Sequence, residues 1–384
     1  MKWKKVEIGK IAKVISGFPF KSKDFQTTGI PVIKIKNIKD EKVVLDESDY
    51  VDLSIEVPNR FHLNKGDILI SLTGSHITLP SSVVGRVAMY RHEENSYLNQ
   101  RAGKFINIEE SDCLKDYLFY FLLQKETTTR IALKAQGAAN QANISPGDVE
   151  GIEINLPPIP QQRKIASILS AYDDLIENNL KRIRLLEEKA QFHYRDMIQE
   201  SGKWFKARLE DFVAVTKGRK PINVLEEADD ESQLYLLLET IERTKTLYTT
   251  DQTLPQSSIT DVLMCMDGAR SGLVFRGMVG AVGSTMAIWS SKSDRINGEW
   301  LYQFMKQNES AITQGNTGSA IPHANRRFIL DMKIPMPPKS EAEHFDQITK
   351  PIIKLISNLH NQNEKLRISR NILLPRLMNG EIEV

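Results

Sequence analysis

Asn, Gln, Arg and Lys crowd into a few Gly- and Ser-rich stretches of this chain. The first half holds "SGFPFKSKDF", "TGSHITLPSS", "LNQRAGK" and "GAANQANISPGD"; the second holds "TKGRKP", "DGARSGLVFRG" and "QGNTGSAIPHANRR". Asn, Gln and Arg can bond bidentately to base edges, while Lys, Ser and backbone N–H groups hold phosphates. Small residues let a backbone come close to a surface. On that chemistry the candidate nucleic-acid contacts are Lys21, Lys23, Lys36, Ser75, His76, Gln100, Arg101, Asn140, Gln141 and Asn143. In the second half they are Lys217, Arg219, Lys220, Arg270, Asn316, Ser319, His323, Asn325 and Arg326. Surface loops are polar in nearly every protein, so composition alone leaves an ordinary solvated surface open.

No catalytic constellation stands beside these loops. There is no G-x-x-x-x-G-K-[ST] phosphate loop. "NLPPI" at Asn155 only imitates the Asn-Pro-Pro-aromatic tetrapeptide of amino-methyltransferases. The glycines at Gly277, Gly280 and Gly283 lack a strand-turn-helix setting and read as a β-hairpin. The seven histidines have no metal spacing, and no metal site is expected. Adjacent Asp173 and Asp174 resemble an acid pair, but neighbours on a helix point about 100° apart, so they read as a solvated face. Cys113 and Cys265 are too few for a disulfide framework, which suits a reducing, cytoplasmic setting. "MKWKKVEIGK" leads into no apolar core and does not read as a signal peptide. No apolar run approaches the roughly 18 residues of a membrane span. A net charge of +2 neither argues for a nucleic-acid partner nor excludes one.

The elements that must position the loops come twice. "LPPIPQQRKIASILS" from Leu156 and "MPPKSEAEHFDQIT" from Met336 both run from a Pro-Pro pair into apolar residues at helical spacing. "WKKVEIGKIAKVISG" from Trp3 aligns with "WFKARLEDFVAVTKG" from Trp204, and "GDILISLTG" from Gly66 with "TDVLMCMDG" from Thr260. "DYLFYFL" parallels "EWLYQFM", and "QGAANQANIS" parallels "QGNTGSAIPHANRR". Four matches in one order imply an internal repeat. Each copy is an α+β domain followed by a long helix, with one clear helix, over "CLKDYLFYFLLQKETTTRIAL" or "EWLYQFMKQNES", against a mostly antiparallel sheet. The boundaries fall at 1–155, 156–200, 201–338 and 339–384.

The first long helix is expected from about Gln161 to Gln199, a rod of roughly 58 Å. The second is expected from about Glu341 to Leu374, with Pro351 kinking it or splitting off its first turns. Apolar residues alternate by three and four, as in a coiled-coil seam: Ile165, Ile168, Tyr172, Leu175 and Leu186 on the first helix, Ile352, Leu355, Leu359, Leu366 and Leu373 on the second. Asn179, Arg182 and Lys189 fall on the same seam as polar residues. Equal length and duplicate origin predict that the two helices pair antiparallel, with a pseudo-two-fold repeat. The Pro-Pro pairs end the preceding strands and set a rigid exit into each helix.

With "LPPIPQQRKIASILSAYDDLIENNLKRIRLLEE" between two such domains and "NILLPRLMNGEIEV" at the end, the chain resembles the specificity subunit of a type I restriction-modification system. The resemblance implies that each domain is a target recognition domain reading half of an asymmetric, bipartite site in double-stranded DNA. The helices then set the spacer between the halves. Two modification subunits dock on the helices and methylate adenine with S-adenosylmethionine. Restriction (motor-nuclease) subunits supply ATP- and Mg-dependent translocation and cleavage. The chain itself does no chemistry and carries no cofactor. "PPKSEAEHFDQIT" lacks the "PQQRKI" of the first copy, so the seats for the modification subunits are expected to differ. A scaffold whose two heads bind proteins would show the same repeat.

Overall fold

The structure is a computed structural model that describes residues 3–39, 41–46, 48–75, 84–138, 141–200, 204–318 and 321–384. Two compact units divide the chain. One comprises Met1–Glu177 with Asn363–Val384, and the other Asn178–Gln362. Each long helix therefore contributes to both units: Ile159–Glu200 is one element, and Lys339–Met378 is another.

The two heads have the same sheet plan. In the first, Lys4–Glu7 pairs antiparallel with Glu153–Leu156; in the second, Lys206–Arg208 pairs antiparallel with Lys333–Pro335. In the first head Lys13–Ser16, Ala102–Ile106, Ile68–Ser71 and Val87–Met89 follow one another across a sheet. Val213–Lys217, Met286–Ser291, Val262–Cys265 and Val274–Arg276 do so in the second. A further sheet contains one parallel step in each head, Ile30–Ile33 with Ser96–Leu98 and Gln233–Leu236 with Gly280–Val282. The glycine-spaced segment is therefore not a hairpin. Val274–Arg276 and Gly280–Val282 belong to different sheets, because Gly277 turns the chain against the Ser258 and Asp261 backbone, where a Cβ would lie 2.0 and 2.6 Å from carbonyl oxygens. Gly17 and Gly218 mark the repeat in the same way. A Cβ there would come within 2.4 Å of the Leu98 and Asn99 carbonyl oxygens, or 2.1 Å of that of Gly283.

Helices cover the sheets over apolar cores that hold Tyr117, Leu118 and Phe121 in the first unit and Trp300, Leu301 and Met305 in the second. Each expected head helix is broken in two, Lys115–Leu123 then Lys125–Ala132, and Gly298–Gln307 then Glu309–Gln314. Gln124 is buried at the first break with an extended backbone, its side-chain nitrogen bonded to the Phe121 carbonyl at 3.4 Å.

Within each unit the long helices run antiparallel. In the first, Ile165 and Leu169 share a core with Leu374, Leu377 and Met378, and Asn363 Nδ2 donates to the Ile176 carbonyl. In the second, Ile183 and Ala190 meet Ile352, Ile356 and Leu359, and Asn179 Nδ2 donates to Gln362 Oε1 at 3.2 Å. The seam keeps Ile165, Asn179, Ile352 and Leu359 of the expected one and shifts by one residue at the intervening positions. Its deepest residues are Ile165, Leu169, Ile176, Asn179, Ile183 and Ala190. Ile168, Leu186 and Leu373 are half-buried at its edge, as are Tyr172 and Leu366. Leu175 is 49 % exposed, Leu355 is 36 % exposed, and Arg182 and Lys189 lie in solvent. Each helix packs on a head as well as on its partner helix. The buried stripe therefore turns toward the head, and the 175–182–189 line faces away from it. Pro351 does not split the second helix. It sits on the exposed side, as does Gln347, whose carbonyl it deprives of a donor, while Ile348 and Ile352 pack on either side of it.

Polar contacts hold each head to the helices. Arg370 is 6 % exposed; its guanidinium bonds Asp173 at 2.5 Å and both Glu41 carboxylate oxygens at 2.5 and 2.8 Å. Asp173 also accepts from the Tyr120 hydroxyl at 2.7 Å and pairs with Arg91 at 3.4 Å. Burial pushes the Glu41 carboxyl up, against the pull of Arg370. Asp173 is thus not part of a solvated face, whereas its neighbour Asp174 is exposed. In the second unit Arg276 makes a bidentate pair with Glu299, at 2.8 and 2.9 Å, and reaches Glu187 of the long helix at 2.9 Å.

The Pro-Pro lead-ins differ inside. Gln162, fully buried, accepts from Leu114 N–H and donates to the Asp112 and Pro157 carbonyls, each at 2.9 Å. It caps the first head helix from outside. Ala342 stands at the matching place, and there Asn297 caps its own helix and donates to Asp346 at 2.9 Å. Part of the difference between "PQQRKI" and "KSEAEH" is therefore a change in how the head is fastened, with Gln162 facing inward.

Replacing Arg370 with Met is expected to cost about 2–3 kcal/mol, because buried Asp173 is left with Arg91 alone and half-buried Glu41 loses its guanidinium partner. Arg367→Met, at a half-exposed i,i+3 pair with Glu364, should cost under about 1 kcal/mol. Gln162→Leu, which strands three backbone groups, should cost about 3 kcal/mol. Chemical unfolding of the full chain measures all three.

Candidate nucleic-acid interface

In each head a small arch brings together parts of the loops singled out in the sequence. In the first head Thr73–Gly74, Gln141–Asn143 and Gln136–Ala138 form a small antiparallel arch with Asn143 between Thr73 and Gln136. The second head reproduces it as two bridges, with His323 between Asp267 and Thr317. The arches are anchored alike. Ile144 N–H donates to the Leu72 carbonyl at 2.9 Å, and Ala324 N–H to the Met266 carbonyl at 2.8 Å. Two residues beyond the central position, Ser145 and Asn325 each cap a short helix, accepting from Asp148 N–H and Phe328 N–H at 3.1 Å. Arg101 stands beside the first arch, since its carbonyl accepts from Leu72 N–H; Thr285 takes that place in the second.

Side chains on the two central positions are held from the adjacent strand. The Thr73 hydroxyl donates to Asn143 Oδ1 at 2.8 Å. His323 Nδ1 lies 2.7 Å from Asp267 Oδ1, and Lys217 Nζ lies 3.4 Å from the other oxygen of that carboxylate. Such an arrangement presents oriented hydrogen-bonding groups on a glycine-flanked ledge.

Residues 1–188 match a family model described as type I restriction modification DNA specificity domain. The whole chain is 22 % identical to a Methanocaldococcus jannaschii protein named as the MjaX specificity subunit of a type I restriction enzyme, covering 94 % of it. The MjaVIII specificity subunit of the same organism is 27 % identical over 177 residues, 45 % of this chain and 41 % of that one. The fold matches the crystal structure of the type I restriction-modification S subunit from M. genitalium, with a TM-score of 0.57 at 15 % identity, over 98 % of this chain and 96 % of that one. Over its whole length the chain is similar to type I restriction enzyme specificity subunits, and its first half matches their DNA specificity domain.

The individual candidate residues divide into exposed cations and groups already engaged. Lys21, Lys23 and Arg101 in the first head, and Lys220 and Arg326 in the second, are exposed, and among the described residues their charged ends have no ion-pair partner. Lys36 shares Asp49 with Lys34, each at 3.0 Å. Arg270 pairs with Glu242 at 2.5 Å, and Arg219 donates to the Thr253 carbonyl. Asn316 is turned inward, its Nδ2 bonded to the Ser271 carbonyl and hydroxyl at 2.9 and 2.7 Å. Gln100 is exposed at the turn before Ala102–Ile106, and Ser75 ends the first arch strand half-buried. His76, Asn140 and Ser319 lie outside the described residues, as does the side chain of Gln141.

Four residues of the ledge escaped the sequence reading: Thr73, Asp267, Ser284 and Thr285. The repeat carried the signal. "SLTG" over "CMDG" sets Thr73 on Asp267, and the glycines at Gly17 and Gly218 face Leu98–Asn99 and Val282–Gly283, which sets Gln100-Arg101 on Ser284-Thr285.

Proposed function

We propose that this chain is a specificity subunit that reads an asymmetric, bipartite site in double-stranded DNA, one half with each head, and performs no chemistry of its own. The observation that carries this is the duplication. Two heads with one sheet plan carry different side chains on the same ledge, as two readers of different half-sites require. Partner modification subunits, two per chain, bring S-adenosylmethionine to the adenines, and restriction subunits bring ATP and Mg. The exposed apolar side chains Leu175, Ile368 and Ile372 in the first unit, and Leu185 and Phe192 in the second, support docking of partners on the long helices. Among the described residues no helix is long and apolar enough to cross a membrane. The cytoplasm, where the DNA is, is the setting we infer.

Three experiments test this reading. Methylation sequencing of DNA exposed to the chain with its modification subunits should reveal a motif of two fixed halves around an unread spacer. Exchanging residues 201–338 for those of a relative should change one half only; alteration of both would refute modular reading. Lys21→Gln combined with Lys23→Gln should flatten the dependence of log K on log salt by about two units, because two phosphate contacts release fewer counterions. Wild-type binding that is indifferent to salt would favour a protein-binding scaffold.

A further inference from the structure

Two heads that read different sequences on one fold must differ chemically where their backbones agree. The arch is where the frame is kept and the chemistry is not. Leu72 and Met266 anchor it through the same backbone bond, Gly74 and Gly268 follow the same strand position, and Ser145 and Asn325 cap the same short helix. Inside that frame Asn143 with Thr73 in one head is replaced by His323 with Asp267 in the other. Sequence spacing agrees, since Asn143 and His323 are as far apart as the two Pro-Pro pairs.

Both central side chains are exposed and held in one orientation, so little rotamer freedom is left to lose on binding. Asn143 uses Oδ1 to accept from the Thr73 hydroxyl. Its Nδ2, with two N–H donors, has no partner among the described residues. His323 uses Nδ1 against the Asp267 carboxylate. That carboxylate accepts only, so Nδ1 carries the proton, and Nε2 of the neutral ring is an acceptor. At Gly268 a Cβ would meet nothing within 4 Å, so the ledge beside His323 is open.

We infer that Asn143 and His323 are equivalent specificity-determining residues, one for each half-site, positioned by Thr73 and Asp267. This rests on the DNA-reading assignment above and adds the chemistry of the bases. Asn143 presents donors, which suit an acceptor edge such as N7 of a purine or O6 of guanine. With its ring neutral, His323 presents an acceptor at Nε2, which suits the exocyclic amino group of adenine or cytosine. The two halves therefore carry opposite hydrogen-bonding edges at the corresponding position.

The test is selection of methylated sites from a randomised duplex pool by the full chain assembled with its modification subunits. Asn143→Ala should lower base preference roughly tenfold at one position of one half, leaving the other half intact. His323→Ala should do the same in the opposite half. Thr73→Val, which keeps the shape and loses the hydroxyl, should weaken preference at the Asn143 position by less. Asn143→Asp keeps the size and the Thr73 bond but exchanges donors for an acceptor, and should turn the preference toward an amino-bearing base. Should the alanine variant not fold, this substitution still decides the matter. An unchanged motif in the Asn143 and His323 variants, while the wild type reads two halves, overturns the inference, as does a loss spread over both halves. A wild-type assembly that selects no bipartite motif refutes the DNA-reading assignment instead.

Discussion

A 42-residue helix with an apolar stripe is not stable in water until that stripe is covered, and a single long helix cannot cover its own. In each unit two layers do the covering. The other long helix takes one flank, and the head takes the side next to it. The rest of each unit follows from this double contact. It explains why Ile165 and Leu169 belong to the same core as Tyr117 and Leu118 of the head, and why Tyr194 and Phe345 stack edge-on around Trp300. A head bound so broadly to its helices has little freedom to pivot on them.

Polar groups add direction to this burial. The apolar stripe alone would tolerate a head rotated or slipped by a turn, because dispersion and hydration are indifferent to orientation. Arg370 is not. Its planar guanidinium is shared between Asp173 on the neighbouring helix and Glu41 on a head turn, and only one docking satisfies both. Arg276 plays the corresponding part in the second unit between Glu299 and Glu187. Such buried ions are costly to desolvate and add little net stability. Their effect here is to select one arrangement among those of similar burial.

The two units solve the same problem with different residues. Gln162 fastens the first lead-in with three bonds to backbone; the second uses Asn297 and Asp346. The ledges diverge likewise, Asn143 and Thr73 against His323 and Asp267, on matching strand pairings. Duplication kept what backbone geometry demands, including the glycines whose Cβ would strike a carbonyl. It released the side chains that only have to satisfy local partners or a ligand.

The duplication, the α+β class of each head, both long helices and the Pro-Pro lead-ins were legible in the sequence, because repeats, periodicity and proline act over a few residues. Of the loop residues read as candidate contacts, Lys21, Lys23, Arg101, Lys220 and Arg326 lie exposed, whereas Asn316 turns inward to Ser271. The phase of the helix seam was not legible, since 165–168–172–175 and 165–169–172–176 are both good heptad readings, and only the position of the head chooses between them. Asp173 read as solvated because its cation lies 197 residues away, and Asn143 gave no hint of the Thr73 that orients it from 70 residues upstream. Local spacing determines which face of an element is apolar. Which distant side chain completes a polar group is decided only when the chain has folded and brought both to one place.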